Sequence, residues 1–209
     1  DLIIPDDHDD EAHDDEAHDD EAHDEDVPAD DGHGHAEGGD PHFWLDPTRV
    51  AGTLDVIATA MVDRDPATIR ECADDYHDEL LALDVELADR LDDVPTDRRL
   101  LVTNHQSLTY FADRYGFDVL GTVLPGTSTL AETNPAQLEQ LAELMRQRNV
   151  TAIFVEAAEA DAEAQALADR IDATVVPILT ASLATEGPAS TYVGMLRANA
   201  IAITEALTP

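Results

Sequence analysis

Two histidines stand at positions where an imidazole could bind a metal ion. His42 lies between Pro41 and Pro47, in a turn that the prolines make rigid. His105 follows a short apolar run at 100–102, which predicts a buried strand ending just before it. Imidazole is the commonest side-chain metal ligand and suits zinc, and ligands of parallel sheets bind at the carboxyl ends of strands. Both residues are therefore candidate metal ligands, although a lone histidine is more often a hydrogen-bonded structural group.

Two other polar stretches also follow predicted strands. Glu156 comes after the apolar run 153–155, and a Thr-Ala-Ser turn at 180–182 follows the run 175–179. Both stretches should reach the same edge of a parallel sheet as His105. We predict that Glu156 supports the metal ligands by hydrogen bonds and does not bind the ion itself.

Two aspartates, Asp40 and Asp46, flank His42. An aspartate beside a metal-binding histidine can orient the imidazole by accepting a hydrogen bond from its second nitrogen. Aspartate also caps turns, because its carboxylate accepts hydrogen bonds from backbone N–H groups two residues further on. We favour the capping role for both residues.

The segment at 6–40 repeats the unit His-Asp-Asp-Glu-Ala. A five-residue step rotates about 140° around a helix, so the repeated histidines cannot share one helical face. The segment has almost no apolar residues to offset the entropy of ordering, and we predict a mobile loop. Weak capture of several metal ions explains both the histidines and the acidic residues, because imidazole and carboxylate are both metal ligands. An expression tag would carry contiguous histidines, and a solvating acidic tract would need no histidines. The candidate ligands of this loop are His8, His13, His18, His23, His33 and His35.

The charge balance excludes two classes of partner. The 209 residues include 47 acidic and 11 basic ones, for a formal net charge of −36, and every basic residue is arginine. Such a surface repels nucleic-acid phosphates and anionic lipid headgroups. Acidic residues without lysine, spread through stretches of apolar periodicity, predict adaptation to concentrated salt. The single cysteine, Cys72, excludes a thiolate zinc cluster, and we predict a buried or half-buried side chain for it.

The elements that must position these residues alternate between helix and strand. A helix is predicted over 48–63, and Asp65-Pro66 starts a second one that runs to about Leu91, roughly 40 Å in length. After Pro95 the pattern predicts an α/β lobe whose parallel sheet is covered by helices on both faces. The predicted strands are 100–102, 117–123, 151–155 and 174–179, and the predicted helices are 107–115, 134–148, 158–171 and 190–207.

Four motifs in this order resemble the solute-binding proteins of zinc and manganese ABC transporters (ZnuA/TroA type). They are Asp-Pro-His-Phe-Trp-Leu-Asp-Pro at 40–47, Asn104 to Gly116, Ile153 to Glu156, and Thr191 to Asn199. The motifs fall in the family's order over 40–209, and the His-rich loop lies where zinc-type members carry one. The first motif is specific, and the ordered set makes the resemblance strong.

The resemblance implies two α/β lobes with parallel sheets, joined by one long rigid helix, with the metal between the lobes. It divides the chain into a remnant of the N-terminal lobe at 1–65, the connecting helix at 66–95 and the C-terminal lobe at 96–209. The first lobe is then incomplete. The apolar run at 2–4 is predicted to be the tail of a strand whose partners belong to an upstream region that has been removed.

The resemblance also implies the ligand set. His42 corresponds to the ligand of the first lobe and His105 to that of the second, while a further family histidine, upstream of His42, has no counterpart here. Many members carry an aspartate in the turn where this chain has Ala181, which leaves water or an upstream glutamate for the fourth position. A site built from imidazole suits zinc, whereas manganese favours added carboxylates.

The function implied by the resemblance is capture of zinc outside the cytoplasm and delivery to an ABC permease, with no reaction catalysed. We expect a monomer tethered to the outer face of the cytoplasmic membrane by an upstream segment. The alternatives are manganese or iron transport within the same family, a metallohydrolase, and a metal-buffering surface protein. The sequence has no His-Glu-x-x-His motif, phosphate-binding glycine loop or serine nucleophile elbow, which disfavours an enzyme.

Overall fold

A parallel sheet of four strands forms the centre of the part of the chain that the structure describes. The computed structural model describes residues 40–61, 65–127, 133–157 and 162–208. The predicted strand tail at 2–4 and positions 6–39 of the predicted loop lie outside these ranges. The strands are β1 (Leu100–Thr103), β2 (Asp118–Thr122), β3 (Ala152–Glu156) and β4 (Thr174–Ile178), in the spatial order β2-β1-β3-β4.

Helices connect the strands and cover both faces of the sheet. This arrangement confirms the predicted α/β fold with a long helix before the sheet. Within the described ranges the helices are α1 (Pro47–Ala51), α2 (Leu54–Ala60), α3 (Pro66–Leu91), α4 (Thr109–Tyr115), α5 (Pro135–Arg148), α6 (Ala162–Ile171) and α7 (Tyr192–Leu207).

The strand order opens a crevice between β1 and β3. From β1 the chain moves to β2 at one edge of the sheet, and it later returns on the other side of β1 as β3. At such a switch point the loops leaving the strands diverge, and ligands bind in the gap between them. His105 lies two residues after β1, and Glu156 is the last residue of β3. Both candidate residues are therefore at the crevice.

Side chains of the central strands alternate between two hydrophobic layers. Leu101 and Phe154 pack in one layer with residues of α3, α4 and α7. Val102 and Ile153 pack in the other layer with residues of α5 and α6. Because both faces are covered, these strands consist almost entirely of apolar residues, as parallel strands usually do.

The long helix α3 follows its predicted bounds. The carboxylate of Asp65 caps its first turn by accepting from the N–H of Ala67, and Pro66 occupies the first helical position, where its missing N–H costs nothing. The apolar residues that recur at helical spacing along α3 form a stripe, which is half-buried at Ile69 and Tyr76 and fully buried from Leu80 onward. The second half of α3 thus packs in the hydrophobic core beside α7.

Two predictions for the first half of the described chain are wrong. The helix predicted over 48–63 is two short helices, α1 and α2, which are separated at Gly52. Glycine weakens a helix interior, and the Thr53 hydroxyl donates to the carbonyl of Val50 at the break. Cys72 is exposed, not buried or half-buried, and it lies in the first half of α3, where even the apolar stripe is only half-buried.

Two helix ends of the C-terminal part show how the sequence sets its boundaries. Gly116 closes α4 in the left-handed conformation with φ 71°, as predicted for the residue after Tyr115. The final helix was predicted from Ser190 but begins at Tyr192, because a 3-10 turn occupies Pro188–Ser190. The hydroxyl of Thr191 caps α7 by accepting from the N–H of Gly194.

Arginine side chains join helices that are distant in the sequence. Arg114 of α4 binds both carboxylate oxygens of Asp84 in α3, with Nε 2.8 Å from Oδ1 and Nη2 donating to Oδ2. The hydroxyl of Tyr115 donates to the same carboxylate at 3.2 Å. Burial and the nearby charge of Asp84 raise the pKa of Tyr115, so its hydroxyl remains a donor. Two more arginines join helices, through the exposed pairs Arg197–Glu86 (α7 to α3) and Arg170–Glu139 (α6 to α5).

We expect Asp84→Ala to lower the free energy of unfolding by about 2 kcal/mol. Loss of one partner from a fully buried pair costs about 3–5 kcal/mol, and the partial exposure of Arg114, whose side chain is 42 % exposed, reduces that figure. The matched control is Glu86→Ala on the same helix, where the exposed pair should contribute less than about 1 kcal/mol. Denaturant titrations at one salt concentration measure both losses. If both variants lose the same free energy of unfolding, the buried pair at Asp84 stabilises the fold no more than the exposed pair at Glu86.

Candidate metal centre

His42 is fixed by its neighbours on both sides. Its side chain is buried, and its Nδ1 lies 2.7 Å from Oδ1 of Asp40. The same oxygen accepts from the N–H of His42 at 2.9 Å. Asp46 caps α1 by accepting from the N–H of Thr48. Capping is therefore the role of Asp46, as predicted, whereas Asp40 both closes a turn and contacts the imidazole.

His105 lies in a buried segment that the sheet holds in place. The N–H of Asn104 donates to the carbonyl of Phe154 in β3 at 3.0 Å, and the carbonyl of Asn104 accepts from Leu124 at 2.7 Å. The hydroxyl of Thr103 donates to the carbonyl of His105 at 2.7 Å. The backbone around His105 is thus anchored on two sides of β1.

The structure brings the two imidazoles together. The ring centroids of His42 and His105 are 5.3 Å apart, at an interplanar angle of 57°. Nδ1 of His105 lies 3.0 Å from Oδ1 of Asn104, as Nδ1 of His42 lies beside Asp40. Carboxylate and amide oxygens only accept hydrogen bonds, so Nδ1 of each neutral imidazole carries the hydrogen and Nε2 carries the lone pair. A lone pair on Nε2 is the form in which imidazole binds a metal ion.

Two buried polar atoms beside the imidazoles have no hydrogen-bond partner in the described part of the chain. They are Oδ2 of Asp40 and Nδ2 of Asn104. An unpaired buried polar atom costs about 1–3 kcal/mol, so such atoms are rare away from functional sites. The side chains beside the two histidines could therefore make more hydrogen bonds than the described residues provide.

The carboxylate of Glu156 holds the turn at 180–182. Oε2 accepts from the backbone N–H groups of Thr180 at 2.7 Å and Ala181 at 3.1 Å, and also from the hydroxyl of Thr180. Oε1 accepts from the hydroxyl of Ser182 at 2.7 Å. Burial opposes ionisation of Glu156, but the hydrogen bonds from Thr180, Ser182 and the backbone outweigh it and hold the pKa of the carboxyl below its ordinary value.

Trp44 connects this turn to the segment that carries His42. Its indole Nε1 donates to the carbonyl of Thr180 at 2.6 Å, and its own carbonyl accepts from the hydroxyl of Tyr192 at 2.6 Å. Burial raises the pKa of Tyr192, which keeps that hydroxyl protonated. The indole also packs edge-on to the imidazole of His42, with 5.3 Å between ring centroids.

Reasoning from the sequence missed Asn104 and Trp44 as parts of the site. Asn104 stands directly before His105, and this adjacency was a signal for an amide that orients the ring. Trp44 is the single tryptophan of the chain and lies two residues after His42. Its partner Thr180 is 136 residues away, and no local pattern identifies that pairing.

The two histidines form a pair and not a complete ligand set. Among the described residues, no group of three or more His, Cys, Asp or Glu side chains is arranged to hold a metal ion. The predicted loop ligands at positions 8 to 35 lie outside the described residues. His77 is half exposed on α3 beside Asp78. A tetrahedral zinc ion bound by His42 and His105 would therefore need further ligands from elsewhere or from water.

Comparison with solved structures identifies the class of the fold. The structure of the periplasmic zinc-binding protein TroA from Treponema pallidum superposes with a TM-score of 0.72 at 25% sequence identity. The match covers 81% of this chain and 64% of that one. The parallel sheet with its long preceding helix is thus the α/β fold of TroA-like solute-binding proteins.

Comparison of sequences assigns the family. The model of the family ZnuA, described as zinc-uptake complex component A periplasmic, matches residues 3–206, and the chain belongs to this family. The zinc-binding protein TroA of Treponema pallidum (strain Nichols) is 32% identical over 178 residues, 80% of this chain and 57% of TroA. The manganese-binding lipoprotein MntA of Halalkalibacterium halodurans is 31% identical over 124 residues, 58% of this chain and 41% of MntA. The chain thus spans about half the length of these relatives.

Proposed function

We propose that this chain belongs to a binding protein that captures zinc outside the cytoplasm and delivers it to an ABC permease, with no reaction catalysed. The observation that carries the proposal is the buried pair His42 and His105, with ring centroids 5.3 Å apart. Two imidazoles that bind one tetrahedral ion at about 2.0–2.1 Å have ring centroids about 5 Å apart. The spacing of the pair therefore suits a shared ion without large movement.

Hydrogen bonds support the same assignment. Asp40 and Asn104 each hold Nδ1 of one imidazole, which directs both rings to offer Nε2. The same two side chains each have a second polar atom without a hydrogen-bond partner among the described residues, so they could bind a further polar group.

Zinc is the metal that the available ligands favour. Imidazole suits zinc, and Ala181 offers no carboxylate at the turn where manganese-type sites would gain an oxygen ligand. The divalent ions also follow the order in which zinc binds nitrogen ligands more tightly than manganese or iron. The relatives include one named for zinc and one named for manganese, so capture of manganese or iron is the second candidate within the family.

A metallohydrolase is the candidate from a different class, and the position of Glu156 argues against it. Such an enzyme needs a carboxylate or imidazole that can act as general base beside an open metal position. Glu156 is a buried carboxylate at the crevice, and its oxygens accept the four hydrogen bonds of the turn. It is therefore committed to the turn. The family model describes a component of an uptake complex, which also favours transport over catalysis.

The family and its relatives support a proposal for the partner and the location. MntA is named a lipoprotein, and the family is described as periplasmic. We propose an extracytoplasmic monomer that is tethered to the outer face of the membrane and docks on its permease. Among the described residues, no helix is long and apolar enough to cross a bilayer. The third candidate is a metal-buffering surface protein, which would bind metal ions but deliver them to no permease.

Calorimetric titration of zinc into the whole chain tests the proposal. We expect one event from the centre at His42 and His105, which is tight relative to the later weak events from the loop histidines at positions 8, 13, 18, 23, 33 and 35 but weaker than binding by a complete set of four ligands. Deletion of residues 6–37 should remove the weak events and leave the tight one, because the two kinds of site share no ligand. If the tight event is missing in the intact chain, the proposed centre is wrong. If it disappears only with the deletion, the loop supplies ligands to it.

A further inference from the structure

Glu156 lies where the supports of both histidines meet. It is the last residue of β3, and its side chain is 5 % exposed. Two residues earlier, the carbonyl of Phe154 accepts from Asn104, which stands directly before His105. The backbone of β3 therefore positions the His105 segment, while the side chain at its end is directed to a different part of the chain.

The side chain of Glu156 is linked to His42 through the turn at 180–182. Its carboxylate accepts the hydrogen bonds of Thr180, Ala181 and Ser182 described above. The carbonyl of Thr180 in turn accepts from Trp44, whose indole packs against the imidazole of His42. These contacts form a continuous path from β3 to the first histidine.

We propose that Glu156 is a positioning residue that sets the distance between His42 and His105, an inference that rests on the proposed function. β3 holds one histidine through its backbone and the other through the Glu156 carboxylate, so loss of that carboxylate releases only the His42 side of the pair. The carboxylate acts through the turn and does not bind the ion, because its oxygens accept hydrogen bonds from that turn. Ala181, at the middle of the turn, is held by the same group.

Three variants of the full chain separate positioning from general stability. Glu156→Ala removes every hydrogen bond to the turn. Glu156→Gln retains them, because the amide oxygen can accept at the Oε2 position and the amide nitrogen can donate to the hydroxyl of Ser182. Asp84→Ala is the matched control, since it also removes a buried carboxylate that joins distant elements but lies outside the crevice.

Three readouts are needed, two with metal and one without. Zinc affinity and the visible spectrum of bound Co²⁺ report the geometry of the ligand pair. The fluorescence of Trp44 in the metal-free chain reports the turn, because this is the single tryptophan and Thr180 binds its indole nitrogen. All measurements are made at a temperature where each variant remains folded by circular dichroism.

We expect Glu156→Ala to weaken zinc binding roughly tenfold, within the range of about 10–100-fold known for groups that support metal ligands. The Co²⁺ spectrum and the Trp44 emission should change as well. Glu156→Gln should stay near the wild type in all three measurements, and so should Asp84→Ala despite its lower stability.

The contrary outcomes are distinct. If Glu156→Ala matches Asp84→Ala in zinc affinity, Co²⁺ spectrum and Trp44 emission, the positioning role is overturned. If the wild type itself binds no zinc tightly, the proposed function fails, and the Trp44 emission still decides the role of Glu156. An emission that is unchanged in Glu156→Ala then overturns the inference as well.

Discussion

His42→Ala and His105→Ala should each weaken zinc binding by more than about 100-fold. Loss of a group that merely supports a ligand costs about 10–100-fold, so loss of a ligand itself should exceed that range. His77→Ala is the control, because His77 is a half-exposed histidine on α3. Calorimetry on the chain lacking residues 6–37 keeps the loop histidines from masking the effect.

The double variant decides whether the two histidines share one ion. If they do, the second substitution adds little to the first, because the site has already lost its geometry. If each binds a separate ion, the two losses are independent and add in free energy. Additive losses, or a single variant that binds zinc as tightly as the wild type, would contradict the shared centre. Their ring separation of 5.3 Å makes the non-additive outcome the expected one.

Ala181→Asp should narrow the preference for zinc over manganese by roughly tenfold, equivalent to about 1.4 kcal/mol. The substitution adds a hard anionic oxygen at the exposed middle of the turn, and manganese gains more from such a ligand than zinc does. Glu156 binds the backbone N–H of Ala181 and not its side chain, so the turn can keep its conformation. Competitive titration of both metals measures the ratio of affinities in each variant.

Ala181→Asn is the control for charge. It places a neutral oxygen of similar reach at the same position, so it should shift the ratio less than Ala181→Asp does. Equal shifts would mean that the oxygen matters and the charge does not. Tighter binding of manganese than of zinc by the wild type would overturn the assignment of zinc, while the transport proposal would stand.

The sequence predicts the elements of this fold better than their contacts. Helix α3 carries its own boundary signals, since Asp65 and Pro66 start it and an apolar stripe at helical spacing continues it. The break at Gly52 was missed because a glycine is often tolerated within a helical pattern. The exposure of Cys72 was missed because helical spacing identifies a face but not which part of a long helix is covered.

The same limit applies to the candidate site. The motifs around His42 and His105 identify both residues, and the structure brings their rings together. That they bind one metal ion stays a prediction. The contacts that support them join positions far apart in the chain, such as Trp44 and Thr180, and depend on how the sheet and α7 pack. Local periodicity contains no information about such pairings, so they become visible only in the folded molecule.

The chain should tolerate mutation at its acidic positions better than at its arginines. With 47 acidic residues, most single losses of an aspartate or glutamate leave the surface chemistry almost unchanged. The 11 basic residues have no such redundancy, and Arg114, Arg170 and Arg197 each join two helices. Lysine cannot reproduce the two parallel hydrogen bonds that Arg114 and Arg197 each make to a carboxylate. Natural variation should therefore be wide at the acidic positions and narrow at these three arginines.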